Sequence, residues 1–167
     1  MMRIALALAV PLTAALLQGA IGPLAVVGGA FPNMPILVAG SWSVAAGARE
    51  GLWWAFIAGL ATDLLSGGPL GAFTVASLPG VLLVGLGERS PARPVPLLTA
   101  ILAVGAAALL TQLLYVGILS FLGQPLPSAA LLAAQTVGVG IYTGALAGVA
   151  YPLARVGRRL TEQESPF

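Results

Sequence analysis

The chain has 167 residues, of which 59% are hydrophobic and 7% charged, and its mean hydropathy is +1.02. A soluble domain carries about 25% charged residues and turns much of its outside to water, so a chain this apolar calls for lipid as its solvent. With no Cys and no His, disulfides, thiol chemistry, His-ligated haem and the common zinc sites are excluded, and the length suits one membrane domain.

The seven basic residues are all arginines: Arg3, Arg49, Arg89, Arg93, Arg155, Arg158 and Arg159. The acids are Glu50, Asp63, Glu88, Glu162 and Glu164. A pI of 9.7 could suggest nucleic-acid binding. The arginines lie between apolar runs, however, and form no basic face interleaved with aromatics, so they read as a membrane orientation signal and not as a nucleic-acid surface.

In chain order, residues 4–27 predict a first helix with a kink at Pro11 and only Thr13 and Gln18 as strong polar interruptions. Arg3 before an apolar run resembles a signal peptide, but a signal core is about 7–15 residues, so the run reads as an uncleaved span, with cleavage near Ala20 as the alternative. Gly28-Gly29 and Pro32-Asn33 mark a break. Residues 34–47 predict the second helix, which Arg49-Glu50 interrupts, and residues 51–66 the third. Gly67-Gly68-Pro69 is a strong turn signal, with Pro69 expected in the first turn of a fourth helix over 70–86. Residues 88–94 form the most polar interior loop. Residues 95–122 predict the fifth helix, 123–127 a turn, and 128–153 the sixth, leaving 155–167 as a fraying polar tail.

With Arg3 inside, six crossings place every other arginine inside too, while the opposite loops around 28–33, 67–69 and 123–127 carry no charge. The second, third and fourth helices are short: 14–17 residues cover roughly 21–26 Å against a hydrocarbon core of about 30 Å. They sit inside the bundle or thin the bilayer beside them. In the alternative, the second and third helices form a re-entrant hairpin, which would bury Arg49-Glu50 at membrane depth.

Asp63 is the only charge well inside a predicted helix. Its structural reading is that the carboxylate accepts hydrogen bonds from backbone N–H groups of the Ser66-Gly67-Gly68 turn or of the start of the fourth helix, donors that cannot be left bare near lipid. A partner contact and ion or proton transport are the competing readings, and a lone acid makes a poor proton relay. Gln18, Gln112 and Gln135, with Thr111, Tyr115, Thr136, Tyr142 and Thr143, suit interhelical hydrogen bonds or a polar site. Trp53-Trp54 reads as an interfacial belt, with a protein contact as the alternative, and Arg155, Arg158 and Arg159 as a topology anchor in contact with anionic lipid. Ala5 and Ala9, and Gly140 and Gly144 with Ala145 and Gly148, form small-residue surfaces suited to close helix packing. No nucleophile–base pair is available, so no catalytic site, metal site or cofactor is expected.

The stretch from Phe31-Pro32-Asn33 through Arg49-Glu50-Gly51 to Gly59-Leu60-Ala61-Thr62-Asp63-Leu64-Leu65-Ser66-Gly67-Gly68-Pro69-Leu70-Gly71 resembles the MreD family of rod shape-determining membrane proteins. That family commonly shows a Pro-Asp before the second helix, an Arg/Glu-Gly turn, and then Gly-Leu-x-x-Asp-Leu-x-Ser-Gly-x-Pro-Leu-Gly. Here Asn33 stands in place of the usual acid. The resemblance implies an all-α, six-helix membrane fold similar to the substrate-binding subunit of energy-coupling-factor vitamin transporters. It also implies a non-enzymatic role in cell elongation at the bacterial inner membrane, with both termini cytoplasmic. The implied direct partner is MreC, through its membrane helix, and the indirect ones are MreB, RodA and a class B penicillin-binding protein. Residues 1–156 would be the membrane domain and 157–167 a cytoplasmic tail. Asp63, Ser66, Gly67, Gly68, Pro69, Leu70 and Gly71 would carry the partner or structural motif, and Pro32 and Asn33 the entry to the second helix. The rival reading is a vitamin-transporter subunit, for which Ala5 and Ala9 would suit docking to the transport partner.

Overall fold

A computed structural model describes residues 2–21, 29–87 and 95–163. Glu88, Arg89 and Arg93, and the last residues expected of the first helix, lie outside the described residues. The described chain is helical: α1 (Met2–Ile21), α2 (Met34–Ala46), α3 (Ala48–Ser66), α4 (Ala72–Gly85), α5 (Leu97–Phe121) and α6 (Ala129–Gln163).

Each boundary has a local cause. Asn33 caps α2, its side-chain oxygen accepting from Ile36 N at 3.1 Å, and Pro35 sits harmlessly in the first turn. The break between α2 and α3 falls at Gly47, not at Arg49-Glu50 as the sequence suggested. Gly47 has φ of 119°, where a side chain would be strained, and Glu50 joins the first turn of α3, where its charge suits the helix dipole. Helix α4 starts at Ala72, not Leu70. Gly71 takes the left-handed conformation as its N-cap, and Pro69 lies before the helix with its carbonyl accepting from Ala72 N at 3.2 Å. Helix α6 continues to Gln163, ten residues beyond its expected end, so the start of the expected polar tail is helical. Arg158 explains much of this. Its guanidinium donates to Ala45 O, which ties the extension of α6 to the C-terminal turn of α2.

Helix α2 is the hub, packed against every other helix, while α1, α3, α4, α5 and α6 form an arc around it in that order. Ten of its thirteen residues are buried, and its apolar residues surround it evenly, as a central helix requires. Ile36, Ala39, Trp42, Trp54, Val81 and Ala108 belong to one core cluster, and Leu37, Val44, Ala100, Val104, Ala147 and Tyr151 to a second.

The peripheral helices approach by backbone. A Cβ added at Gly105 on α5 would lie 2.9 Å from Gly140 O, and one at Gly144 on α6 would lie 3.1 Å from Ile101 O. These reciprocal approaches put glycine Cα–H groups against carbonyl oxygens, a recurrent contact between close helices. Thr111 Oγ1 is buried without a conventional hydrogen bond, and it too faces a glycine: a Cβ at Gly80 would meet it at 3.2 Å. Of the small residues expected on α6, Gly140 and Gly144 pack against α5, whereas Ala145 is exposed.

Contacts between helix ends sort the bundle into two ends. At one, Gly85 abuts Ala48, Tyr151 Oη donates to Val95 O at 2.9 Å, and Arg158 reaches Ala45. Arg49, Arg155 and Arg159 belong to the same end. At the other, Asn33 N donates to Thr143 Oγ1 at 2.9 Å, Met34 N donates to Gln18 Oε1 at 2.7 Å, and Asp63 meets the start of α4.

Candidate functional site

The last turn of α3, the five residues after it and the first turn of α4 form the candidate site. Asp63 is 3% exposed. Its Oδ1 accepts from Phe73 N at 3.0 Å, and its Oδ2 accepts from Thr74 N at 2.9 Å and from Thr74 Oγ1 at 2.6 Å. Of the two donor sets the sequence offered, the start of α4 is therefore the one engaged. The carboxylate caps α4 across the turn, where the α4 N-cap, Gly71, has no side chain to do so. Ser77 Oγ extends the group by donating to Thr74 O at 2.8 Å, and the ring of Tyr115 meets Phe73 edge-on at 5.8 Å.

Above this buried core lies the exposed part of the motif. Ser66 Oγ donates to Asp63 O at 3.2 Å and accepts from Gly68 N at 3.3 Å, folding the turn back on the helix end. Gly67 closes α3 in the left-handed conformation at φ of 66°. Ser66, Gly67, Gly68 and Leu70 are exposed, and Pro69 and Gly71 half-buried. Leu64, Leu65 and Leu70 are 66%, 55% and 70% exposed. The motif thus has two layers: an inner carboxylate whose oxygens are committed to α4, and an outer apolar rim around a small-residue turn.

Pro32 and Asn33 stand at the same end but in another contact set, with both residues buried. A neutral amide is enough at position 33, because the side-chain oxygen caps α2 without a charge. Gln18 and Thr143, two polar residues the sequence offered for interhelical bonds, hold the α2 start. What the arrangement does chemically is satisfy helix-end donors in an apolar setting. Among the described residues, no group of three or more His, Cys, Asp or Glu side chains gathers.

The arginine end corrects one expectation. Trp54 is 5% exposed and stacks on Trp42 with ring centroids 4.2 Å apart and an interplanar angle of 6°, while Trp42 Nε1 donates to Glu50 Oε2 at 3.0 Å. Only Trp53, 62% exposed, is placed as a belt residue would be. The two adjacent tryptophans differ because neighbouring helix positions point about 100° apart, a distinction periodicity alone did not resolve for an evenly apolar helix. Replacing Trp54 with Ala is expected to destabilise the bundle by about 3–5 kcal/mol, and replacing Trp53 by under about 0.5 kcal/mol, read as thermal unfolding in detergent. Sequence reasoning missed the stack, and it missed Ser43, whose Oγ donates to Val81 O at 2.9 Å where α2, α3 and α4 meet. Arg155 lies over the ring of Tyr151, one turn earlier on the same helix, at 5.8 Å, whereas Arg158, another expected topology anchor, ties α6 to α2.

A bundle of apolar helices with its ends capped internally, its described arginines toward one end, and α5 and most of α6 long and apolar enough to cross a bilayer fits the class of helical membrane proteins. The chain belongs to the MreD family: the family model described as rod shape-determining protein MreD matches residues 2–126. No curated protein and no solved structure matches the chain. The matched region runs from α1 through the turn after α5 and includes Pro32, Asn33 and the whole 63–71 motif. Family membership ties the chain to rod-shape determination.

Proposed function

We propose that the chain is a non-enzymatic adaptor of the cell-elongation machinery, built from six membrane-crossing helices and binding MreC at the Asp63–Gly71 end of the bundle. The family match over residues 2–126 carries this reading. In it, the arginine end faces the cytoplasm, with residues 1–156 as the membrane domain and 157–167 projecting inward. MreC then links the chain to MreB and to the synthase formed by RodA and a class B penicillin-binding protein. The match gives no support to the vitamin-transporter alternative.

Helix-on-helix recognition in lipid works by close packing against an exposed, shaped apolar surface. Leu64, Leu65 and Leu70 supply one beside the small residues of the turn. Asp63 is unsuited to test this surface, since its removal undoes the start of α4. The test is the double variant Leu64→Trp/Leu70→Trp, whose side chains point away from the core. MreC recovered by co-purification should fall about tenfold, an energy of roughly 1.4 kcal/mol, with the amount of folded protein unchanged. Undiminished recovery together with intact rods would remove the site from the account.

A further inference from the structure

The two halves of the bundle differ in height. Phe73, at the start of α4, meets Tyr115 on α5, which fixes the level of the α3–α4 turn against α5. Helix α5 then continues from Tyr115 to Phe121, roughly 9 Å further along its axis. Helix α6 likewise begins well before Thr143, the residue that meets the α2 start. At the arginine end Gly85 of α4 abuts Ala48 of α3, and Tyr151 of α6 donates to Val95 just before α5, so the apolar parts of these helices end close together and α6 continues past them as its arginine-bearing segment. The capped end thus carries a step in apolar height of its own, apart from the polar extension of α6 at the arginine end.

The exposed surfaces follow the same step. On α3 the exposed apolar positions run from Trp53 to Leu65, roughly 18 Å, between Arg49 and the turn that starts at Ser66. On α5 they run from Leu97 to Phe121, roughly 36 Å. The hydrocarbon core of an ordinary bilayer is about 30 Å. Tilting shortens the span of a long helix, but nothing lengthens a short one. The backbone of residues 66–68 is exposed, and its polar groups need water or headgroups within reach. Phe121, 91% exposed, needs lipid roughly 9 Å beyond Tyr115 along α5.

From this step, and on the reading that all six helices cross the membrane, we infer that the chain thins the outer leaflet along its α3–α4 face while leaving it at full thickness along α5–α6. Where MreC does not cover it, the α3–α4 face thus meets lipid with short acyl chains, or ordinary lipid compressed to the same height. The preference belongs to one side of the molecule, which separates it from a uniformly thin protein.

Tryptophan quenching by brominated lipid tests this in the full chain. Trp53 reports the α3–α4 face, and Trp53→Phe supplies the background from the buried Trp42–Trp54 stack. Leu102→Trp in the Trp53→Phe chain reports α5, where Leu102 is 65% exposed. The protein is reconstituted in mixtures of dibromo 18-carbon phosphatidylcholine with unbrominated lipid of 14 to 22 carbons. At Trp53, the 14-carbon lipid should displace the brominated one about threefold better than the 22-carbon lipid does, while the reporter on α5 should prefer 18 carbons or longer. A shared optimum, or no chain-length dependence at Trp53, would overturn the inference while leaving the membrane reading intact. Absence of quenching at both reporters by any lipid would overturn the membrane reading, and the inference with it.

Discussion

Asp63→Ala is expected to lower bundle stability by about 3 kcal/mol, the larger of two effects that this fold makes measurable. The variant leaves the N–H groups of Phe73 and Thr74 and the Thr74 hydroxyl without their acceptor, all three in buried positions. An unmade bond to a buried donor costs about 1–3 kcal/mol, and water is not at hand to replace it. Some relief comes from rotation of the Thr74 hydroxyl toward a backbone carbonyl, which is why the costs do not simply add. Asp63→Asn keeps one acceptor oxygen and should recover about half of the loss. Helical content followed during thermal unfolding in mild detergent gives the ranking: wild type, then Asn, then Ala. An Ala variant that unfolds with the wild-type midpoint would show that the cap contributes nothing.

Two glycines of α5 should respond in opposite directions to the same change. A Cβ at Gly105 would lie 2.9 Å from Gly140 O and 3.4 Å from Gly144 Cα, and both are backbone atoms that cannot swing away. Gly105→Ala therefore forces α5 and α6 apart, costing about 1–3 kcal/mol in packing. At Gly117, nothing lies within 4 Å of the added carbon, and Gly117→Ala gains about 0.5–1 kcal/mol of helix propensity. The same detergent unfolding experiment on both variants reads the sign. Two shifts in the same direction would refute the close α5–α6 contact.

Much of the helical framework was legible because lipid-compatible segments announce themselves by continuous apolarity, and Gly, Pro and Asn punctuate them. The turn at 67–71 and the non-helical stretch at 29–33 were marked in this way. The boundaries that moved did so for reasons hydropathy does not encode. Charge at Arg49-Glu50 suggested an interruption, but a charged pair fits the first turn of a helix, and the backbone breaks at Gly47, where positive φ is free of strain. The polar segment after Leu153 suggested a loose tail, but Arg158 finds a carbonyl 113 residues earlier in sequence, a pairing invisible until α2 and α6 lie side by side. Asp63 was legible as the one acid in an apolar helix; that α4 rather than the nearer turn supplies its donors depended on three-dimensional placement. Trp54 was misjudged because an almost wholly apolar helix has no clear polar face, so periodicity could not separate the lipid side from the protein side.

The central claim is a bundle of six crossings with its arginine end in the cytoplasm. The chain has no native cysteine, so single substitutions report without interference. Ser66→Cys, Gln124→Cys, Arg49→Cys and Arg159→Cys all fall at exposed positions. In intact cells, a membrane-impermeant thiol reagent should label the first two, and label the last two only after the membrane is opened. Labelling of position 49 or 159 from outside, or no labelling of position 49 even in opened membranes, would contradict it.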